Sequence, residues 1–348
     1  MSCKQNSCST AHPREYFSWS LSRQHNGIVV PVIVMLLIAL GLTGCTTFKP
    51  PMPTDQPPAV VAAPPFPKGR APVALVLSGG SARGYAHVGV IKVLEASGLR
   101  PDIIVGTSAG SIVGALYASG LTAIELEAAV GQMDKAVFND FVLPGLGFLP
   151  GDLGFVRGDK LHRYLDARLK QHHIQDFSIR FAAVATELST GKSVAFNYGD
   201  AGLAVLASSA VPGVISPVYV NRKYYGDGQI ASPLPVAAAR ELGAAIVIAV
   251  DVIYPPEDAF VYSAIGVIFQ AFAVSVHRIK EYEKASADLV VTPMLRKTSG
   301  QFTFADRAQL IAAGEQAALQ MLPEIRSAFA KSALGLLNSK VTDVDIKK

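Results

Sequence analysis

Two consecutive segments of the chain each read as a short apolar strand, a glycine-rich turn and a helix. The first is "VALVL" (73–77), "SGGSARG" and "YAHVGVIKVLEAS", and the second is "DIIVG", "TSAG" and "SIVGALYASG". Neither strand alternates polar with apolar residues, as expected of parallel strands buried on both faces. Such units form right-handed crossovers, so the sequence predicts an α/β fold: a mainly parallel central sheet in a three-layer arrangement, with helices on both faces.

Composition excludes two classes of protein. Half of the residues are hydrophobic and 17% are charged, which is incompatible with a disordered chain. The net charge is +4, and basic residues are scattered without interleaved aromatic residues. The sequence therefore lacks the clustered basic footprint of a nucleic-acid-binding protein.

The N-terminal region has the pattern of a secretory signal. Residues 28–42, "IVVPVIVMLLIALGL", are too short for a comfortable membrane-spanning helix but suit the apolar part of a signal peptide. Three basic residues precede this run: Lys4, Arg14 and Arg23. The polar part before it is long, which leaves a later start codon open. We predict a signal peptide over residues 1–44.

The residues Leu42-Thr43-Gly44-Cys45 resemble the bacterial lipoprotein signal, in which small residues precede a cysteine that is lipidated. The resemblance implies that Cys45 becomes the mature N-terminus and anchors the protein to the bacterial cell envelope. The following Thr46 favours the outer membrane. The alternatives are an uncleaved signal anchor and a chance occurrence of the cysteine.

Proline content then divides the rest of the chain. Residues 45–71 are so rich in proline that they predict an extended tether. One folded domain is expected over residues 72–335, with a C-terminal tail over 336–348. The three cysteines, Cys3, Cys8 and Cys45, precede this domain, so no disulfide and no reactive thiolate are expected in it.

Ser108 is the first candidate for a catalytic residue. It is the central residue of "GTSAG", a G-x-S-x-G pentapeptide between a strand and a helix, which is the pattern of a nucleophile elbow. The turn is so sharp that Gly106 and Gly110 must lack side chains. A packing turn is the alternative, since serine and glycine are common in turns.

A second glycine-rich turn, "GGSARG" over Gly79–Gly84, also follows a parallel strand. Both turns should meet at the carboxyl edge of the sheet, where backbone N–H groups can bind an oxyanion. The spacing G-x-G-x-x-G fails at Ser81 and no G-K-[ST] follows, so a nucleotide site is not indicated.

A serine nucleophile needs a base. The domain contains five histidines, and none follows a late strand, where an α/β-hydrolase keeps its histidine: His87, His162, His172, His173 and His277. Each is expected to be a surface or packing residue, and the adjacent His172 and His173 make a poor metal pair. Asp227 in "YYGDGQIASPLP" is the better candidate, although Asp-Gly is also a common turn.

The set "GGSARG", "AHVGV", "GTSAGS", "ASSAVPGVISPV" and "GDGQ" in this order resembles the patatin-like phospholipases over roughly residues 73–255. The resemblance implies a serine–aspartate dyad without a catalytic histidine. Ser108 matches the nucleophile, Asp227 the base, and the loop Gly79, Gly80, Ser81, Ala82, Arg83 and Gly84 the oxyanion-binding motif. No cofactor and no metal are implied.

Two positions depart from the pattern of that family. Ser81 replaces a glycine of the oxyanion motif, and Gln229 stands where the family usually has Gly or Ala. Arg83 falls at the arginine of the motif, where it either organises the loop or meets a phosphate head group. The dyad itself is intact.

These features predict a lipid acyl hydrolase of phospholipase A or lysophospholipase type, acting on membrane lipids. The apolar stretch between Phe138 and Phe155 predicts a lid or a lipid-facing lip, with a loop packed on the core as the alternative. A lipid-binding or scaffolding lipoprotein with little turnover stays open, and so does a soluble Ser-His-Asp esterase or peptidase.

Overall fold

A computed structural model describes residues 54–67, 71–133, 135–142, 153–256, 262–295 and 304–345. The predicted signal peptide, Cys45 and Thr46 lie outside the described residues. Eight strands form one sheet: β1 (Val73–Leu77), β2 (Ile103–Thr107), β3 (Arg180–Glu187), β4 (Ser193–Phe196), β5 (Val218–Val220), β6 (Lys223–Asp227), β7 (Ile246–Val250) and β8 (Leu289–Val291).

The described helices lie between and after these strands. In chain order they are α1 (Tyr85–Ala96), α2 (Ala109–Ala118), α3 (Ala123–Gly131), α4 (Asp159–Asp166), α5 (Ala201–Ser208), α6 (Val236–Glu241), α7 (Ala264–Lys284), α8 (Arg307–Gln320) and α9 (Leu322–Asp345). Helix α9 continues across the predicted boundary between residues 335 and 336.

The central sheet is mixed, with strand order β5-β6-β3-β2-β1-β7-β8 and β4 paired to β3. The pairs β3–β2, β2–β1, β1–β7 and β7–β8 are parallel, which confirms the predicted α/β class. The pairs β3–β4, β3–β6 and β5–β6 are antiparallel. Strand β3 is therefore the boundary between a parallel and an antiparallel half.

Apolar side chains are buried on both faces of the sheet. In β1, Leu75 and Leu77 belong to the larger core, which includes residues of α1, α2 and α5, while Ala74 and Val76 belong to a second core with residues of α6. Because every residue of β1 is buried, the strand has no polar position. The helices on both faces agree with the prediction from the unbroken apolar runs.

Residues 54–67, the C-terminal half of the predicted tether, lie along the domain. Ala59 pairs with Tyr198 in an antiparallel bridge, and the Gln56 carbonyl oxygen accepts from the Asp200 amide at 2.8 Å. The Arg180 guanidinium stacks on the Phe66 ring. The carbonyl oxygens of a proline-rich segment can still accept hydrogen bonds, and the surface of the domain provides N–H donors for them. The part of the predicted tether that precedes residue 54 is outside the described residues.

Among the described residues, the structure contains no helix that is both apolar enough and long enough to cross a bilayer. The apolar run over 28–42 lies outside this range.

Candidate active site

Ser108 occupies a strained turn between β2 and α2. Its φ and ψ are 54° and −123°, a conformation that a residue with a Cβ rarely adopts. A Cβ placed on Gly110 would lie 2.2 Å from the Leu77 carbonyl oxygen, so the helix can begin this close to β1 only with glycine there. The turn leaves the Ser108 side chain at the N-terminus of α2.

Two hydrogen bonds connect the turn to the end of α5 and to β3. The Ser108 amide donates to the Ser208 hydroxyl at 2.9 Å, and that hydroxyl donates to the Val184 carbonyl oxygen of β3 at 2.6 Å. Ser208 is fully buried at the end of α5. It is a supporting residue that the sequence analysis did not identify, because its partner is 100 residues away along the chain.

Asp227 ends β6 and stands level with Ser108 on the other side of β3. Thr107 of β2 pairs with Val184, and Asp227 pairs with Ala185, the next residue of β3. Neighbouring strands lie about 4.8 Å apart, so the backbones at Ser108 and Asp227 are separated by about 10 Å. Their side chains can therefore meet only above β3.

The turn after Asp227 passes directly over β3. A Cβ on Gly228 would lie 2.1 Å from the Val184 carbonyl oxygen, which explains why glycine follows the aspartate. The Asp227 carboxylate caps the short turn Gly228–Ile230, since Oδ1 accepts from the Gln229 amide at 2.8 Å. Gln229, one of the two departures from the family pattern, thus orients the carboxylate through its backbone.

Asp227 is fully buried, and this burial raises the pKa of its carboxyl from an ordinary 3.8 to about 7. The Gln229 amide and the Ser108 hydroxyl act in the opposite direction and lower that pKa. Among the described residues, the second oxygen, Oδ2, has no partner that meets full hydrogen-bond geometry. The Ser108 hydroxyl therefore interacts with the carboxylate without a tight hydrogen bond, as is common before substrate binds.

The glycine loop approaches Ser108 from the end of β1. A Cβ on Gly84 would lie 2.7 Å from the Ala109 side chain, which shows how closely the loop contacts the elbow. Ser81 has φ 53° and starts a short 3-10 turn that ends at Gly84. Within the described part of the chain, the amides of Gly80, Ser81 and Ala82 donate to no backbone carbonyl oxygen. These amides and that of Ala109 are available to an oxyanion.

Gly79 departs from the expectation for this loop. Its amide donates to the Pro233 carbonyl oxygen at 3.1 Å, so it cannot donate to an oxyanion in this conformation. Gly79 instead joins the loop to the segment after Asp227. Arg83 organises the loop, since its Nε donates to the Val252 carbonyl oxygen at 3.0 Å.

Helix α7 connects the remaining loops behind the site. The Glu283 carboxylate accepts from the Ser232 hydroxyl and from the Leu234 amide, in the segment that follows Asp227. Burial raises the pKa of Glu283 to about 7, against the lowering effect of these two donors. One turn earlier, Lys280 forms a buried ion pair of 3.1 Å with Asp251, which follows β7.

An apolar cavity of about 360 Å³ opens above Ser108. Its lining includes Ser81, Ala82, Gly84, Tyr85, Ser108, Ala109, Ile112, Val113, Val130, Met133, Phe138, Phe141, Val156, Ser209, Val211, Val214 and Ile215. The only hydroxyls among these residues belong to Ser81, Ser108, Ser209 and Tyr85. The Ser209 hydroxyl is buried without a partner in the described residues. Asp227 does not line the cavity, because it lies behind Ser108.

No described histidine lines this cavity. His87 is fully buried, with Nε2 2.9 Å from the Ser78 carbonyl oxygen, and burial lowers its pKa to about 4. It is therefore a neutral packing residue beneath the glycine loop. His173 lies 3.2 Å from Asp55 at the surface.

His162 forms a small polar group with Asp166 and Asp200. One side-chain nitrogen or oxygen atom from each of the three residues lies within 4.8 Å of the others. The Asp200 carboxylate also caps α5 by accepting from the Leu203 amide at 2.8 Å. The group thus joins α4 to α5, and its residues do not line the cavity.

The domain is similar to several known proteins. Residues 75–240 match the family described as patatin-like phospholipase. Over 178 residues the chain is 36% identical to an uncharacterized NTE family protein of Mycobacterium tuberculosis, a match that covers 51% of this chain and 48% of that protein. This part of the chain is therefore similar to the patatin-like phospholipases.

A relative of known designation is lysophospholipase NTE1 of Coccidioides immitis, which is 34% identical over 180 residues, covering 52% of this chain and 11% of that protein. The chain spans about half the length of the first curated relatives it matches. Among solved structures, VipD from Legionella pneumophila is similar with a TM-score of 0.47 and 16% identity, over 74% of this chain and 67% of that chain.

The raised pKa of Asp227 predicts a stability difference that depends on pH. The pKa of Asp227 is higher in the folded protein than in the unfolded chain. Ionisation of this carboxyl therefore destabilises the folded state, and the loss of stability grows as pH rises from about 4 to about 7. Asp227→Asn should therefore raise the free energy of unfolding at pH 8 by up to about 4 kcal/mol. Urea unfolding of both proteins at pH 4 and pH 8 measures the difference.

The gain should fall below about 1 kcal/mol near pH 4, where the wild-type carboxyl is protonated in the folded state and partly protonated in the unfolded state. Glu283 is present in both proteins and cancels in the comparison. Equal stability of the two proteins at pH 8 would contradict the burial of a charged carboxylate at this position.

Proposed function

We propose that the chain is a lipid acyl hydrolase that cleaves carboxylic esters of phospholipids or lysophospholipids. The observation that carries the proposal is the position of the Ser108 hydroxyl, between an apolar cavity that can hold an acyl chain and a buried carboxylate whose pKa is about 7. The family match and the lysophospholipase among the relatives support this substrate class.

The proposed reaction begins with proton transfer from the Ser108 hydroxyl to Asp227 as the Ser108 Oγ attacks the ester carbonyl carbon. The C=O π electrons move to oxygen, and the amides of Gly80, Ser81, Ala82 and Ala109 can stabilise that oxyanion. Collapse of the intermediate breaks the bond to the leaving alcohol, which takes the proton from Asp227. An acyl ester on Ser108 remains.

Water then completes the cycle. Asp227 accepts a proton from the attacking water, the tetrahedral intermediate forms again, and its collapse releases the fatty acid while the proton returns to the Ser108 Oγ. A carboxylate with an ordinary pKa would be a poor base here. The raised pKa of Asp227 makes proton transfer from serine less unfavourable at neutral pH.

The lipid-binding alternative rested on Ser81 and Gln229. Neither residue obstructs the proposed chemistry, since Ser81 adopts the left-handed conformation that the turn needs and the Gln229 amide holds Asp227. The Ser-His-Asp alternative requires a histidine that bonds the Ser108 hydroxyl. No described histidine lines the cavity above Ser108, and His87, beneath the glycine loop, bonds the Ser78 carbonyl oxygen instead.

Attachment to the bacterial envelope through Cys45 is a second part of the proposal. The residues Leu42-Thr43-Gly44-Cys45 support it, and Thr46 favours the outer membrane. A lipid anchor would keep the enzyme at its substrate.

Substitution of the dyad should abolish ester hydrolysis. We expect Ser108→Ala and Asp227→Asn each to lower kcat by about 10³-fold or more, because each removes one half of the proton-transfer pair. Release of fatty acid from lysophosphatidylcholine, followed by mass spectrometry, measures the loss. Ser119→Ala is the matched control, since its buried hydroxyl bonds the Leu116 carbonyl oxygen in the same helix.

A fluorophosphonate probe separates an enzyme from a lipid-binding protein. Wild type and Ser119→Ala should be labelled and Ser108→Ala should not. Folded wild-type protein that is neither labelled nor active would favour the lipid-binding alternative.

The pH dependence of catalysis should report Asp227. Because the deprotonated carboxylate is the base, kcat/KM for a soluble ester should fall about tenfold per pH unit below pH 7 and level off above it. Initial rates between pH 5 and pH 9 measure the profile. A rate that stays constant down to pH 5 would rule out a base of this pKa.

Removal of the predicted lipid attachment site should release the protein from membranes. In bacterial cells, we expect Cys45→Ser to move the protein from the membrane fraction to the soluble fraction or to leave an unprocessed precursor, because no acyl chains are added. Fractionation followed by mass spectrometry of the N-terminus measures both. Normal processing and unchanged membrane association of Cys45→Ser would refute lipidation at this residue.

A further inference from the structure

Three large apolar side chains are exposed on the two short segments that pair with each other next to the cavity. Phe141, Leu153 and Phe155 expose 72%, 58% and 52% of their surface, respectively. We call these three residues the lip. Single exposed apolar residues are ordinary, but a group of this kind at the opening of an apolar cavity marks an interaction surface.

Backbone hydrogen bonds fix the lip to the domain. The Val142 amide donates to the Phe155 carbonyl oxygen at 2.9 Å, and Phe141 pairs with Val156 in an antiparallel bridge. The Val156 amide in turn donates to the Val214 carbonyl oxygen at 2.8 Å. An ordered backbone therefore carries Phe141 and Phe155.

The lip is continuous with the cavity. Phe141 and Val156 line the cavity that reaches Ser108, and Phe141 also belongs to the exposed group. An acyl chain that leaves a bilayer along the lip would pass from one apolar surface to another without crossing water.

The charges next to the lip balance one another in number. Arg157 lies 3.5 Å from Asp159, and the Asp140 carboxylate accepts from the Lys160 amide at 3.3 Å. These four residues carry two positive and two negative charges. Attraction to the lip therefore does not depend on anionic head groups, and the matching partner is hydrocarbon.

The N-terminal segment enters the domain beside the helix that follows the lip. The Gln56 carbonyl oxygen accepts from the Asp200 amide, and Asp200 lies 3.5 Å from His162 in α4. Helix α4 begins three residues after Val156. The twelve residues from Cys45 to Gln56 span at most about 40 Å, so a lipid on Cys45 would hold Gln56 within about this distance of the bilayer.

The lip is too small for a stable protein interface. Its three side chains expose on the order of 300 Å², against about 800 Å² per partner in a typical complex. A shallow insertion into a bilayer needs no such area.

From these observations we infer that the lip inserts into the acyl region of a lipid bilayer and delivers lipid to the cavity. The delivery of lipid to the cavity rests on the proposed function. The contact between the lip and lipid can be tested without hydrolysis. The partner that we infer is a bilayer of neutral phosphatidylcholine.

Tryptophan quenching tests the contact directly. The chain has one tryptophan, Trp19, so a chain with Trp19→Phe, Ser108→Ala and Phe155→Trp carries a single reporter in the lip. In vesicles of phosphatidylcholine with brominated acyl chains, we expect its emission to fall by about half relative to unbrominated vesicles, because bromine quenches tryptophan within the acyl region.

The matched control places the reporter on α7. Ile268 is 67% exposed and outside the cavity lining, so Ile268→Trp in the same full-length background should not be quenched. Quenching at residue 268 alone would assign the lipid contact to α7 and overturn the inference. Equal quenching at both residues would show contact without a preferred face and overturn it as well.

A kinetic measurement tests the consequence for substrate delivery. Leu153→Ser/Phe155→Ser, at residues that do not line the cavity, should lower hydrolysis of phosphatidylcholine vesicles about tenfold and change hydrolysis of a dissolved short-chain ester less than about twofold. Ile265→Ser/Ile268→Ser should change neither rate. Equal rates on vesicles for the lip variant and wild type would overturn the inference.

The proposed function fails differently. In that case wild-type protein would hydrolyse neither substrate, while quenching at residue 155 would still report whether the lip meets lipid.

Discussion

The burial of Asp227 is the constraint on which the rest of the site depends. A carboxylate without solvent is stabilised only by the groups that surround it, and here these are one amide and one hydroxyl. The result is a carboxyl whose pKa lies near neutrality. If Asp227 were exposed, its pKa would fall towards the ordinary range, and it would lose the basicity that a serine hydroxyl requires.

The fold keeps this carboxylate buried by bringing it to the sheet from the opposite direction to Ser108. Strand β2 runs parallel to β3 and β6 runs antiparallel, and both pair with β3 at neighbouring residues, Val184 and Ala185. Gly228 lets the chain cross above Val184, so the carboxylate is covered by the elbow rather than by solvent. The hydrogen bond between the Ser108 amide and Ser208 fixes the elbow. The hydrogen bonds of Glu283 fix the segment after Asp227.

Much of the fold could be predicted from local sequence, because a strand buried on both faces has an unbroken apolar run. Strands β1, β2 and β7 were recognisable on that basis. The antiparallel strands were harder to recognise. The segment "KYYGD" in β6 contains polar residues, and its pairing with β3 depends on contacts with residues about 40 positions away along the chain. The same reason explains why Asp227 by itself looked like a plain turn and gained its expected role from the order of five motifs.

The glycine loop shows a similar limit of local reasoning. The sequence indicated six residues with amides directed towards an oxyanion, whereas Gly79 donates to Pro233 on another loop. Ser208 and Glu283 were missed because serine and glutamate have many uses and their partners are distant in sequence. Residues 54–67 looked like a free tether because proline excludes helix, but it does not prevent an extended segment from hydrogen bonding to a surface.

The most direct test of the central claim is the ionisation of Asp227 itself. Isotope-edited infrared spectroscopy of protein labelled with ¹³C at aspartate side chains, compared with Asp227→Asn, gives the carboxyl signal of this residue as a function of pH. We expect the protonated carboxyl band to disappear with a midpoint near pH 7. A midpoint near pH 4 would contradict a buried aspartate acting as the base for Ser108.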